Sequence, residues 1–164
     1  MNELLVLEPD DWQLWRRLRL AALAEAPRAF GATLAEWQGA GDREERWRGR
    51  LAIPDSRNLV AVVEGEPLGM ASGVPAEAPG AVELISMWVG PEARGLGVGA
   101  LLIAEVEEWA RGAGATTLKL SVRPDNAAAL ALYTRCGFGH TAEPGELLPD
   151  GSRELVMAKP LGVG

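Results

Sequence analysis

Residues 82–99 read V-E-L-I-S-M-W-V-G-P-E-A-R-G-L-G-V-G: an apolar extended run, Val82 to Val89, and then the glycine cluster Arg94 to Gly99. An apolar helical run begins near Ala100. Strand, glycine turn and helix in this order form the setting in which a backbone cradles phosphate. Gly95, Gly97 and Gly99 lack a Cβ, so the chain can turn tightly and bring its N–H groups against an anion. The following helix leaves its first N–H groups unpaired and adds the positive end of its macrodipole at the same point. A tight strand-to-helix turn needs glycine with or without a ligand, so the cluster alone does not decide the matter.

Two familiar phosphate motifs do not fit. A P-loop needs Lys and then Ser or Thr after its last glycine, whereas this chain continues Ala100-Leu101-Leu102. A dinucleotide-binding turn opens its domain and is answered by an acid on a second strand about 20 residues later. Here the motif lies past mid-chain, and the next strand candidate, Thr116 to Val122, carries no acid.

Arg94, Gly97 and Gly99 do fill the pattern Arg/Gln-x-x-Gly-x-Gly/Ala, and Asn126, Ala129, Tyr133, Gly137 and Phe138 fill Asn-x-x-Ala-x-x-x-Tyr-x-x-x-Gly-Phe. In both motifs, and in the order of elements from Ala81 to Gly139, the chain resembles the GCN5-related N-acetyltransferase (GNAT) family. The resemblance implies an α/β (α+β) fold: a mixed sheet of about seven strands flanked by about four helices, splayed between strands 82–89 and 116–122.

The 164 residues suffice to bury a core without metals or disulfides, and one compact domain over residues 1–164 is expected. The single cysteine, Cys136, excludes an internal disulfide. Residues 1–10 hold three acids and no basic side chain, unlike a signal peptide. No apolar run approaches the roughly 18 residues of a membrane span. A cytoplasmic protein with no membrane partner is the expectation. A net charge of −7 argues against sequence-independent nucleic-acid binding and mildly favours cationic, amine-bearing substrates.

Along the chain, Glu3 to Leu7 is a strand candidate, and Pro9-Asp10-Asp11 starts a helix that Pro27 ends. A second helical region spans about Ala32 to Leu51, broken near Gly39 to Gly41. Asn58 to Glu64 and Pro67 to Val74 read as a hairpin. Beyond the helix from Leu101 to Arg111 come the strand Thr116 to Val122 and a helix capped by Asp125 or Asn126 and ended by Gly137. Phe138 to Ala142 and Glu154 to Ala158 are strands around a loop, Glu143 to Arg153.

The resemblance implies acetyl-CoA as cosubstrate, with no metal. The backbone of Met87 and Val89, on either side of Trp88, should pair with the pantetheine arm as an added strand. The N–H groups of Arg94, Gly95, Leu96, Gly97, Val98, Gly99 and Ala100 should hold the pyrophosphate, with Arg94 adding charge. Asn126 should reach the pantetheine arm, although it is equally a good N-cap. For catalysis, Glu83 is the base candidate, matching a glutamate of the histone-acetyltransferase branch. Strict alternation would place Glu83, Ile85, Met87 and Val89 on one strand face and Trp88 on the other. Enclosure by apolar walls would raise the pKa of Glu83, whereas a solvent-facing acid at a strand start is the plain alternative. Tyr133, the only tyrosine, follows Asn126 by seven positions near the same helix face, and by the resemblance it protonates the leaving thiolate. The plain alternative is a packing tyrosine.

For the acceptor, the resemblance points to about Phe30 to Trp37 and Glu143 to Arg153. Phe30 and Trp37 offer apolar contact there, and Glu36, Glu143 and Glu146 offer counter-charge for an ammonium group. Thr33 and Glu36 also read as a capping box. The expected partner is a small-molecule or peptide primary amine. The alternative is an acyl-CoA-binding or sensory domain without turnover. A homodimer is an open expectation, since many relatives dimerise. Cys136 reads as a small apolar filler, and the lone His140 as a surface or strand-packing residue. Trp12, Trp15, Trp47 and Trp109 fit helix faces that pack.

Overall fold

The computed structural model describes residues 2–25 and 34–162. Its seven strands are β1 (Asn2–Val6), β2 (Arg57–Val63), β3 (Glu66–Pro75), β4 (Ala81–Val89), β5 (Thr117–Val122), β6 (Gly139–Leu147) and β7 (Arg153–Pro160). They form one sheet in the order β1-β2-β3-β4-β5-β7-β6, antiparallel everywhere except at β4–β5. The helices α1 (Trp12–Glu25) and α2 (Glu44–Leu51) pack on one face, and α3 (Val98–Gly112) and α4 (Ala127–Arg135) on the other. No helix among the described residues is long and apolar enough to cross a membrane.

Each face has its own core. On the α3/α4 face, Val98, Leu102, Val106 and Ala110 recur every four residues along α3 and bury against Leu59, Ala71, Leu84, Leu118 and Leu120. Two glycines of β3 let α3 lie close to the sheet. A Cβ on Gly73 would stand 2.7 Å from Trp109 Cζ3, and one on Gly69 would stand 3.2 Å from Val98 Cγ1 and Leu102 Cδ1. On the α1/α2 face, Trp15, Leu18 and Ala22 of α1 and Trp47 and Leu51 of α2 bury against Val60, Met70 and Trp88. α4 ends where Gly137, at φ +96°, donates its N–H to the Thr134 carbonyl while Phe138 donates to that of Tyr133.

Three expected boundaries move. Residues Leu34–Trp37 and Gly39–Gly41 form 3-10 turns, and the α-helix begins only at Glu44. α3 begins at Val98, earlier than Leu101, so the end of the glycine cluster is itself the first helical turn. The expected loop from Glu143 is largely strand: β6 runs on to Leu147 as an exposed edge, with register irregularities around Pro144. Its alternation is masked because a solvated edge strand has no buried side to impose one.

Candidate functional site

The glycine turn presents an anion cradle. Gly95 and Gly97 both adopt φ +80°, and a Cβ on either would meet no neighbouring atom, so it is the backbone and not space that demands glycine. Gly97 is the N-cap of α3, and the first bond of the helix is Leu101 N–H to the Gly97 carbonyl. The N–H groups from Gly95 to Ala100 donate to no backbone carbonyl among the described residues. Val98 and Gly99 are buried, while Leu96 and Ala100 are exposed at the rim. Gly99 serves packing: a Cβ there would stand 2.9 Å from Leu132 Cδ2 and 3.3 Å from Met87 Cε, where α4, α3 and β4 meet. Arg94 donates through Nε to the Val89 carbonyl at 3.0 Å and pairs with Glu25, which fixes its stem against the end of β4.

An open strand edge leads to this cradle. β4 and β5 pair only at Ala81–Thr117, Val82–Leu118 and Glu83–Lys119. Beyond Glu83, β4 stays with β3 and β5 with β7, so the two strands part and the β5-facing edge of β4 is left unpaired. Midway along it lies a β-bulge. Between the pairs Met70–Trp88 and Ser72–Ile85, β4 advances one residue more than β3, and Ser86 takes φ +54°. Arg50 of α2 donates to Ser86 Oγ from the α1/α2 face at 3.1 Å.

The bulge corrects the strict alternation expected for this strand. Leu84 lies in the α3/α4 core, which puts Glu83 and Ile85 on the α1/α2 face. After the extra residue the order reverses. Met87 and Val89 pack with the α3/α4 core, and Trp88 joins Trp15 and Trp47 on the α1/α2 face. Trp88 therefore shares a face with Glu83, and Met87 and Val89 do not.

Glu83 sits at the apex of the split, half-buried. Burial raises its pKa; Lys119 opposes the shift, and Glu143 and Glu146 reinforce it. Lys119 is held by Glu143 at 2.6 Å. Glu154 is raised as well, by burial and by Glu146. Glu143 and Glu146, expected on a loop, stand on β6 instead.

Tyr133 is buried on the α3/α4 side, its ring edge-on to Phe138 at 5.9 Å between centroids, and burial pushes its pKa up to about 12. Asn126 caps α4, its Oδ1 accepting from Ala129 N–H at 3.2 Å. Among the expected acceptor contacts, Phe30 and Thr33 lie outside the described residues. Trp37 stacks on Trp47, with centroids 4.4 Å apart, and under the Arg46 guanidinium at 3.7 Å, while Glu36 is exposed. Cys136 packs beside the α3/α4 core, and His140 is exposed on β6.

Sequence reasoning missed the polar group behind the bulge: Arg50, bonded to Asn58, Ser72 and Ser86, with Arg19 nearby on α1. Burial pulls each guanidinium down to about 10, and the charge of Arg19 adds to the effect on Arg50. The available signal was an arginine between the apolar Trp47 and Leu51, together with Ser86 in the largely apolar run Val82 to Val89.

An open strand edge that ends on a helix-capped glycine cradle agrees with what comparison of the chain with known proteins returns. The sequence model described as "Acetyltransferase (GNAT) family" matches residues 15–138. The chain belongs to the GNAT family. GNAT relatives include an "IAA acetyltransferase" of Azospirillum brasilense, 37% identical over 68% of this chain and 72% of that protein. An "Aminoglycoside N(6')-acetyltransferase type 1" of Stenotrophomonas maltophilia is 30% identical over 76% of this chain and 86% of its own. Among solved GNAT structures, the ribosomal-protein-S18-alanine N-acetyltransferase of Escherichia coli superposes with a TM-score of 0.70 at 25% identity, covering 100% of this chain and 96% of that one. The mixed seven-stranded sheet with four helices is the GNAT fold, and the protein is an N-acetyltransferase.

Proposed function

We propose that the protein moves an acetyl group from acetyl-CoA directly to a primary amine of a small molecule or peptide, in the split between β4 and β5. The observation that carries this reading is the unpaired edge of β4, which runs from Glu83 to the N–H groups of Gly95 to Ala100. The residues present fit the donor. Free N–H groups at a helix start suit a pyrophosphate, and the edge around Met87, Trp88 and Val89 suits a ligand bearing amides. Arg94 adds charge at the end of that edge, and Asn126, the N-cap of α4, is assigned to the pantetheine arm.

Acetyl-CoA supplies an electrophilic thioester carbonyl. The chain supplies proton handling. Glu83, with its raised pKa, takes a proton from the acceptor ammonium, directly or through water, and frees the nitrogen lone pair. As the C–N bond forms and the C–S bond breaks, Tyr133 gives its phenolic proton to the departing thiolate. The net change is ammonium plus thioester to amide, thiol and one released proton. On the acceptor side, Glu143 and Glu146 place negative charge near the incoming ammonium, and Glu36 and Trp37 are assigned to the pocket wall.

Mass spectrometry of product and enzyme after incubation with acetyl-CoA and a panel of amines tests this reading. The expected result is an acceptor heavier by one acetyl group and an unmodified enzyme. An acetylated enzyme competent to pass its group on would overturn direct transfer, and CoA binding without product would turn the assignment to a binding domain.

A further inference from the structure

The layer between α1, α2 and the sheet holds polar groups that acetyl transfer as written leaves unused. Arg50 donates to Asn58 Oδ1, Ser72 Oγ and Ser86 Oγ, each at 3.1 Å, and all three acceptors are neutral. Among the described residues no carboxylate lies within ion-pair distance of Arg50. Its guanidinium sits 5.1 Å from the ring of Trp15, and Arg19, one turn further along α1, brings a second positive charge to bear on it. Desolvating a guanidinium is costly, and proteins ordinarily offset that cost with a carboxylate.

The same layer contains Trp15 and Trp88, 0% and 9% exposed, whose indole N–H groups meet no acceptor among the described residues. An indole N–H can only donate, and so can a guanidinium. A layer rich in donors and positive charge is complementary to a carboxylate. Arg50 is half-buried and not fully enclosed. Its contact with Ser86 lies three residues along β4 from Glu83, about 10 Å of strand. Glu143 and Glu146 of β6 and Glu154 of β7 also act on Glu83, with Lys119, held by Glu143, between them.

We propose that the acceptor is an amine that also carries a carboxylate, of the α-amino acid or short-peptide class, with Arg50 binding the carboxylate and so turning the amine toward Glu83. This rests on the acetyltransferase reading above and names its substrate class. The chemistry is unchanged: Glu83 takes the ammonium proton, the C–N bond forms, the C–S bond breaks and the thiolate is protonated. The carboxylate takes no part beyond binding.

The test is steady-state acetylation of several amino acids and dipeptides, each beside its methyl ester, with spermidine and kanamycin as polyamines lacking a carboxylate. Wild type, Arg50→Gln and Arg50→Lys are compared. For wild type, esterification should raise the acceptor KM by at least about tenfold, the loss expected for a charge-assisted pair. Arg50→Gln should raise KM for the acid by a similar factor, add nothing for the ester and leave KM for acetyl-CoA unchanged. Arg50→Lys should recover part of the loss. A merely structural Arg50 would raise both KM values for acid and ester alike, and that result would overturn the proposal. So would esters or polyamines turned over as well as the acids, while leaving the acetyltransferase reading intact. No turnover of any acceptor would overturn both. Preference between free amino acids and dipeptides identifies the source of the carboxylate, and the wild-type acid–ester comparison decides even if Arg50→Gln does not fold.

Discussion

Glu83 is asked to be ionised in a place that disfavours its charge. Its pKa is raised, so the acid limb of kcat/KM should lie above the ordinary carboxylate range near about 4.3 and should vanish in Glu83→Gln. The same shift has a consequence for stability. A carboxylate whose folded pKa is raised binds its proton more tightly folded than unfolded, so it costs stability once pH exceeds its unfolded pKa. Glu83→Gln should therefore melt at a Tm equal to or above that of wild type at neutral pH while losing activity, as thermal unfolding and assay together would show. Tyr133, pushed up to about 12, stays protonated through the assay range, so Tyr133→Phe should lower kcat by about 10²-fold without moving the acid limb. Tyr133 is nominated by the spaced motif Asn126 to Phe138, and Glu83 by its place before the glycine loop in the resemblance. Arg50 was passed over, because its sign, an arginine between Trp47 and Leu51, is weak in a helix as short as Glu44–Leu51.

The element that decides the site is β4, and its sequence was legible only in part. The apolar run and the glycine cluster announce a strand, a turn and a helix, and all three are present. The bulge at Ser86 is invisible to a period of two, and its one extra residue sends Trp88 and Met87 to opposite faces from those expected. The glycine turn makes its own prediction. Gly97→Ala would force an L side chain to φ +80°, a strain of about 1–2 kcal/mol, and would disturb the N–H groups at the helix start. The expected outcome is a higher KM for acetyl-CoA with the acceptor KM little changed. Gly73→Ala is the packing counterpart: a Cβ 2.7 Å from Trp109 should cost about 1–3 kcal/mol in urea unfolding, the ordinary penalty for overpacking.

In the whole molecule, the order of elements, the mixed sheet of seven strands with four helices and the split between strands 82–89 and 116–122 were within reach of the sequence because they follow from the resemblance. Residues 34–43 and the late strands were less so. Short 3-10 turns and a solvated edge strand lack the buried stripe that makes periodicity visible. The turn region is tied to the body by Asp42, which accepts from Arg16 Nε at 2.7 Å and from Trp47 Nε1 at 2.8 Å. These bonds hold its pKa at about 2. A depressed carboxylate stabilises the fold above its unfolded pKa, near about 3.9, and that contribution fades as pH falls toward the folded value. Wild type should thus be more stable than Asp42→Asn at pH values well above 4, and the difference should shrink as the pH approaches 2 in acid unfolding. The measurement that bears most directly on the function is thiol release from acetyl-CoA in the presence of a turned-over amine, with wild type and Glu83→Gln side by side at saturating donor. Acetyl transfer at the β4–β5 split with Glu83 as base predicts a fall of about 10²- to 10⁴-fold in kcat with donor affinity unchanged. Undiminished turnover in Glu83→Gln would contradict it.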